Sequence, residues 1–202
     1  RYNSFRKENE IDEETVVFLY AGTIGHVSGA QVVLEAANKC KDVKDVLFLF
    51  VGEGPLVASL KEQTGKLGLS NVRFLPFQPR AKLNEVQAIA DVSLVTLLPK
   101  HGELSVPSKV LGYMAAARPV LAAVDGDSET ARLIETAKCG VIVNAGDVEG
   151  LAEQVTQLRD DVAKRKHLGE QGRKYLEENF TKESVIKRYY DFILATAAAN
   201  QK

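Results

Sequence analysis

Residues that cross-link chains or hold metals are scarce in this 202-residue sequence, and the scarcity excludes whole classes of protein. There are two cysteines, Cys40 and Cys139, far apart and each in an apolar context. They read as buried free thiols rather than a disulfide framework. The three histidines, His26, His101 and His167, are scattered and pair with neither cysteine, so no metal site is expected. No apolar run approaches the roughly 18 residues of a membrane span, and no signal-peptide pattern opens the chain. A net charge of −1 leaves no basic field for nucleic acid and no acidic tail. No Ser/His/Asp or Cys/His nucleophile pattern is present, and His26 and His101 qualify for acid–base work by position alone. There is no linker rich in Pro, Gly or Ser, no repeat and no low-complexity tract. The chain begins at Arg1 without Met, which leads us to expect a piece of a longer protein.

What the sequence does contain is alternation. Apolar runs at Thr15–Tyr20, Val46–Val51, Asn71–Leu75, Asp91–Leu97, Pro119–Val124 and Gly140–Val143 read as strands. Between them lie segments with apolar residues at helical spacing, such as Val33, Ala36, Ala37 and Cys40. Beyond residue 147 the pattern is helical to the end, interrupted at Phe180-Thr181. Six short strands alternating with helices predict an α/β, Rossmann-like, doubly wound parallel sheet with helices on both faces and a helical C-terminal extension. Residues 1–14 are polar and charged and read as a linker or arm; residues 15–202 read as one domain.

In such sheets ligands sit beyond the carboxyl ends of the strands, so the loops there carry the functional reading. The first is Gly22-Thr-Ile-Gly-His-Val-Ser-Gly29, whose glycines permit close backbone approach to a phosphate. Its spacing is neither G-x-G-x-x-G nor a P-loop. The second, Gly52-Glu-Gly-Pro55, is a common turn. In Phe74-Leu-Pro-Phe-Gln-Pro79 two prolines stiffen a loop that could offer Phe77 and backbone groups to a base. The fourth, from Pro99 to Lys109, is long and polar, with Glu103, Ser105, Ser108 and Lys109. It leads into a helix of small residues at about 107–117, and a helix start bearing Ser108 and Lys109 favours an anion.

Taken together in order and spacing, these pieces resemble a known family. Tyr20-Ala-Gly22 with Ser28-Gly29, Val51-Gly-Glu-Gly-Pro55, Phe74-Leu-Pro-Phe77, Ala90-Asp-Val-Ser-Leu-Val95, the stretch from Pro107-Ser-Lys109 to Arg118-Pro-Val120, and Cys139-Gly-Val-Ile-Val143 run along nearly the whole chain. They are similar to the C-terminal, donor-binding domain of GT-B-fold glycosyltransferases of family 4, in the branch that carries Pro-Ser-Lys and acts in polysaccharide or antigen assembly.

That resemblance implies a sugar transfer from a nucleotide-diphosphate donor to a glycan or lipid-linked acceptor, with retention of configuration. The nucleotide sugar is a substrate, and no cofactor or metal is implied. An N-terminal acceptor domain of the same chain would be the partner, so this fragment alone would be inactive; no nucleic acid or membrane contact is implied for it. The location implied is cytoplasmic, or membrane-peripheral for a full-length protein. Carried over by position, Gly22, Thr23, Gly25, Ser28, Gly29, Ser108 and Lys109 would meet the diphosphate. Gly52, Gly54, Phe77 and Gln78 would lie near the base or ribose, and Glu103, Leu104 and Ser105 near the sugar. The helix at 182–199 would pack back onto the N-terminal domain and show an apolar face (Val185, Tyr189, Phe192, Ile193) without it. The sequence departs from the family where many members have Arg and Lys, here Thr23 and Ser28, and where they have two glutamates, here Leu104 and Gly112. Two other readings are a sugar-nucleotide epimerase half-domain and a non-catalytic nucleotide-binding or scaffold module.

Overall fold

The computed structural model describes residues 3–101 and 108–199. Its centre is a six-stranded parallel sheet in the order β3-β2-β1-β4-β5-β6. The strands are β1 (Val16–Ala21), β2 (Val46–Val51), β3 (Val72–Leu75), β4 (Val92–Thr96), β5 (Val120–Ala123) and β6 (Gly140–Val143). The helices are α1 (Ser4–Glu8), α2 (Ala30–Lys39), α3 (Val57–Lys66), α4 (Leu83–Ala88), α5 (Ser108–Ala115), α6 (Glu129–Ala137), α7 (Val148–Asp160), α8 (Val162–Asn179) and α9 (Lys182–Ala199). This is the expected doubly wound architecture. The strand order reverses between β1 and β4, and that crevice is where such sheets take ligands.

The four inner strands are buried almost throughout, and apolar except for Ser93 and Thr96 of β4, because helices cover both of their faces. Along β2, Val46, Phe48 and Phe50 point into one layer with α2, α3 and α7, while Leu47, Leu49 and Val51 point into the other. Phe18 stacks on Phe48 with ring centres 5.7 Å apart, and Phe50 on Phe74 at 4.8 Å. The second face is divided. Val86, Ile89 and Ala90 of the α4 region cover the β1–β2 half, and Val110, Tyr113, Met114, Ala131 and Ile134 of α5 and α6 cover the β4–β5 half. A groove between α4 and α5 results, and it opens toward the carboxyl ends of β1 and β2.

The opening segment differs from its reading as a linker or arm. Asn3 caps α1 by accepting from the Arg6 amide at 3.1 Å, and Phe5, Arg6 and Ile11 are buried against β1, β2 and α4. Arg6 donates to the carbonyls of Ile89 and Asp12 and lies 3.9 Å from the Asp91 carboxylate. Residues 3–15 are therefore packed into the domain: a polar composition hides one apolar stripe and one buried guanidinium. At the other end, α9 leans on α8, and Tyr189, Phe192 and Ile193 are 67%, 70% and 61% exposed. Val185 is half-buried. Both cysteines are buried and free. Burial pushes the Cys139 thiol up to about 12, so it stays a thiol at neutral pH.

Candidate functional site

The site is built from the backbone upward. After β1 the chain turns through residues 22–29, and this loop is tied to the turn after β2. The Gly22 amide donates to the Val51 carbonyl at 2.9 Å, the Ile24 amide to that of Glu53 at 2.9 Å, and the Leu56 amide to that of Ile24 at 3.3 Å. Contact this close requires glycine on the supporting side. A Cβ at Gly52 would drive into the Gly22 carbonyl, and one at Gly54 into that of Ile24. Gly52 and Gly54 thus carry the first loop and line neither of the pockets described below. Gly52→Ala is expected to cost about 1–3 kcal/mol, as overpacking does, and to shift the amide resonances of Gly22 and Ile24. Unchanged stability and spectra would show that the two turns are not braced on each other.

Lys109 stands at the centre. It lies in the first turn of α5, beside the exposed Ser108, and its side chain runs back over Gly22. A Cβ on Gly22 would lie 2.9 Å from Lys109 Cε, so this glycine leaves room for the lysine stem. The ammonium sits 4.6 Å from the centre of the Tyr20 ring and 3.4 Å from its hydroxyl. Tyr20 in turn donates to the Thr23 carbonyl at 3.2 Å. Burial lowers the Lys109 pKa below its ordinary value and raises those of Tyr20 and Tyr113. The result is a half-buried cation on an aromatic face, next to the amide end of a helix dipole of the same sign. Among the described residues no carboxylate pairs with this ammonium, and the arrangement favours an anion.

Two pockets meet at Lys109. The first, of about 250 Å³, lies between the first loop, β4 and α5, and is lined by Thr23, Gly25, Ser28, Thr96, Ser108 and Thr130 among others. The second, of about 200 Å³, lies in the groove between α4 and α5, with Phe77 and Gln78 on one side and Val86, Gln87 and Tyr113 within it. Phe77 is 63% exposed at its mouth.

The structure brings most of the expected residues together. Thr23, Gly25, Ser28, Ser108 and Lys109 line one pocket, and Gly22, Phe77 and Gln78 line the other, which shares Lys109. Gly29 works differently: it holds a left-handed turn (φ 62°) at the start of α2, packed on Leu97. Ser28 is buried, and its carbonyl accepts from the Thr96 hydroxyl at 2.6 Å. Glu103, Leu104 and Ser105 lie outside the described residues. Tyr20, Thr130, Leu83, Val86, Gln87 and Tyr113 line the pockets without having been singled out from the sequence. The available signal was topological: Tyr20 ends a strand at the switch point, and Gln87 lies on the helix that follows the proline-stiffened loop.

Known proteins supply a family and a fold for this chain. The family model for glycosyl transferases group 1 matches residues 2–175. The chain is 30% identical over 174 residues to a probable glycosyltransferase, WbjE, of Pseudomonas aeruginosa, an alignment covering 86% of this chain and 42% of that one. It is 27% identical over 192 residues to the putative colanic acid biosynthesis glycosyl transferase WcaI of Escherichia coli K12, covering 95% and 46%. The chain therefore spans about half the length of the curated relatives it matches. In fold it resembles Anabaena Alr3699/HepE, solved in complex with UDP and glucose, with a TM-score of 0.74 at 20% identity, over 94% of this chain and 50% of that one. Among the described residues, no helix is long and apolar enough to cross a membrane.

Proposed function

The chain belongs to the glycosyl transferases group 1 family, and we propose that it is the donor-binding half of a retaining family 4 enzyme. That enzyme moves a sugar from a nucleotide-diphosphate donor to a glycan or lipid-linked acceptor. One observation carries this reading: the Lys109 ammonium stands at a helix start between two pockets, the smaller flanked by an exposed aromatic ring. A diphosphate at Lys109 would put the sugar in the pocket of Thr23, Ser28 and Ser108, and the nucleoside against Phe77.

The chemistry follows from charge. When the anomeric carbon–oxygen bond breaks, negative charge grows on the diphosphate. The ammonium of Lys109 and the first amides of α5 oppose that charge from fixed positions. Thr23 and Ser28 supply no cation here, so Lys109 carries more of the work than it would in a chain with Arg and Lys at those positions. The acceptor and its binding site belong to an N-terminal domain, consistent with a chain about half as long as its relatives. The fragment alone binds donor weakly and transfers nothing. The reaction draws on no cofactor, and the whole protein works in the cytoplasm, peripheral to the membrane when its acceptor is lipid-linked. The Anabaena protein solved with UDP and glucose supports a nucleotide sugar as the ligand class.

Titration with UDP, GDP and ADP tests the reading. One of them is expected to shift amide resonances in residues 22–29, 77–87 and 108–113 at millimolar concentration. Unmoved resonances with all three nucleotides would sink it.

A further inference from the structure

Gly112 has a neighbour that explains why it is glycine. It lies one helical turn beyond Lys109 on α5 and faces α4 across the groove. A Cβ placed there would come within 2.7 Å of Gln87 Nε2 and 3.7 Å of Gln87 Oε1, with nothing else among its nearest neighbours. The space a side chain at position 112 would fill is occupied by a carboxamide from another helix. Gln87 is half-buried and lines the Phe77 pocket, and among the described residues its side chain has no hydrogen-bond partner. A half-buried carboxamide offers two donors and an acceptor with two lone pairs, and leaving them unpaired in a groove has a cost. The rest of that groove is largely aliphatic or aromatic: Val51, Phe77, Leu83 and Val86.

We propose that Gln87 reads the ribose of the bound nucleotide, its carboxamide hydrogen-bonding the vicinal 2′- and 3′-hydroxyls. The proposal rests on the nucleotide-diphosphate reading of Lys109 and adds the residue that selects ribose within it. Distance decides between ribose and base. Positions 109 and 112 are three residues apart on one helix, about 4.5 Å along its axis and on the same face. A group that far from the diphosphate cation meets the sugar attached to the phosphate. The base, farther on, meets Phe77 and Gln78. Vicinal hydroxyls suit a carboxamide, which can accept from one and donate to the other in a single plane. The second observation is the glycine itself, whose missing side chain leaves the space that the carboxamide fills.

Calorimetry of UDP against 2′-deoxy-UDP tests this, with GDP or ADP and its deoxy form used if that base binds better. The wild-type protein is expected to prefer the ribonucleotide about tenfold, the worth of one well-made hydrogen bond in such a site. Gln87→Leu keeps the bulk beside Gly112 and removes the hydrogen bonds. It should weaken ribonucleotide binding about a hundredfold, the loss of both hydrogen bonds, and make the two nucleotides equal. Gln87→Glu, which can still accept from a hydroxyl, should recover part of the preference. A preference that survives Gln87→Leu, or is absent from the wild type while UDP still binds, overturns the assignment of Gln87. Failure of the wild type to bind any nucleoside diphosphate overturns the donor-site reading itself, and the two failures are told apart by that measurement.

Discussion

Lys109→Met is expected to weaken nucleotide binding about a hundredfold and, in the same protein, to raise the melting temperature. Both effects come from one lysine held where its charge is useful to a ligand and unfavourable to the empty fold. In the free protein the ammonium is drawn out of water onto the Tyr20 ring, with no carboxylate beside it among the described residues, and its pKa is lowered by that burial. Between the lowered pKa and the ordinary value near 10.4, the unfolded chain binds more protons than the folded one. Wild-type stability therefore rises with pH through that window, because neutralising Lys109 relieves the folded state. Methionine fills similar volume on the aromatic face without the charge, so its stability should lack this rise. Binding runs the opposite way. A diphosphate supplies the missing counter-charge, and its charge-assisted contacts with lysine are worth about 1.5–3 kcal/mol, near a hundredfold at the upper end. Affinity should fall as pH rises through the lowered Lys109 pKa, whereas Lys109→Arg should hold its affinity through the same range. Calorimetry for binding and thermal unfolding for stability, each across pH, check the pair. A methionine variant that binds like wild type would remove Lys109 from the site. One that binds poorly and also melts lower would make the lysine a structural residue.

The inner strands were legible because they are buried on both faces. Val-Leu-Phe-Leu-Phe-Val at 46–51 has no polar residue to place at a surface, and the structure gives it none. The glycine loop and the Ser108-Lys109 helix start were legible for a similar reason: each is a local pattern whose physics is complete within a few residues. What escaped the reading depends on partners distant in sequence. Gly52 and Gly54 read as a common turn that the resemblance placed near the base or ribose, but the backbone they approach is that of Gly22 and Ile24. Gln87 carries no motif, and its place follows from an absent Cβ on another helix. Gly112 was visible as a departure from the family pattern, yet the carboxamide in its space was not. Residues 3–14 were misread because composition reports the average, and here one phenylalanine, one isoleucine and one arginine decide the packing.

That arginine gives the largest expected stability effect. Arg6 is 2% exposed, and its guanidinium joins the segment before β1 to the end of α4. It donates to the carbonyl of Ile89 just after α4 and to that of Asp12 before β1, and it lies 3.9 Å from Asp91. The Asp91 carboxylate accepts from the Val17 amide at 3.0 Å, so the arginine is coupled to the register of β1 against β4. Removing one member of a buried ion pair leaves the other charge without its counter-ion, at a cost of about 3–5 kcal/mol. Arg6→Ala should lose that much in urea unfolding, a large fraction of a domain's total stability. Arg6→Lys, which restores the charge but not the planar fork, should recover only part. Deleting residues 1–14 should be at least as damaging as Arg6→Ala, since it also strips Phe5 and Ile11 from the core. If the truncated domain unfolds at the same urea concentration as the intact one, the segment is an appendage after all. If Arg6→Ala alone is silent, the carbonyls and Asp91 are satisfied by water once the guanidinium is gone. Either result would also bear on α4, because Arg6 and the Asn3 amide, which donates to the Glu85 carbonyl at 2.8 Å, fix the helix that presents Gln87 to the pocket. Loss of the N-terminal anchor is thus expected to weaken nucleotide binding through α4, while leaving the first loop and Lys109 in place.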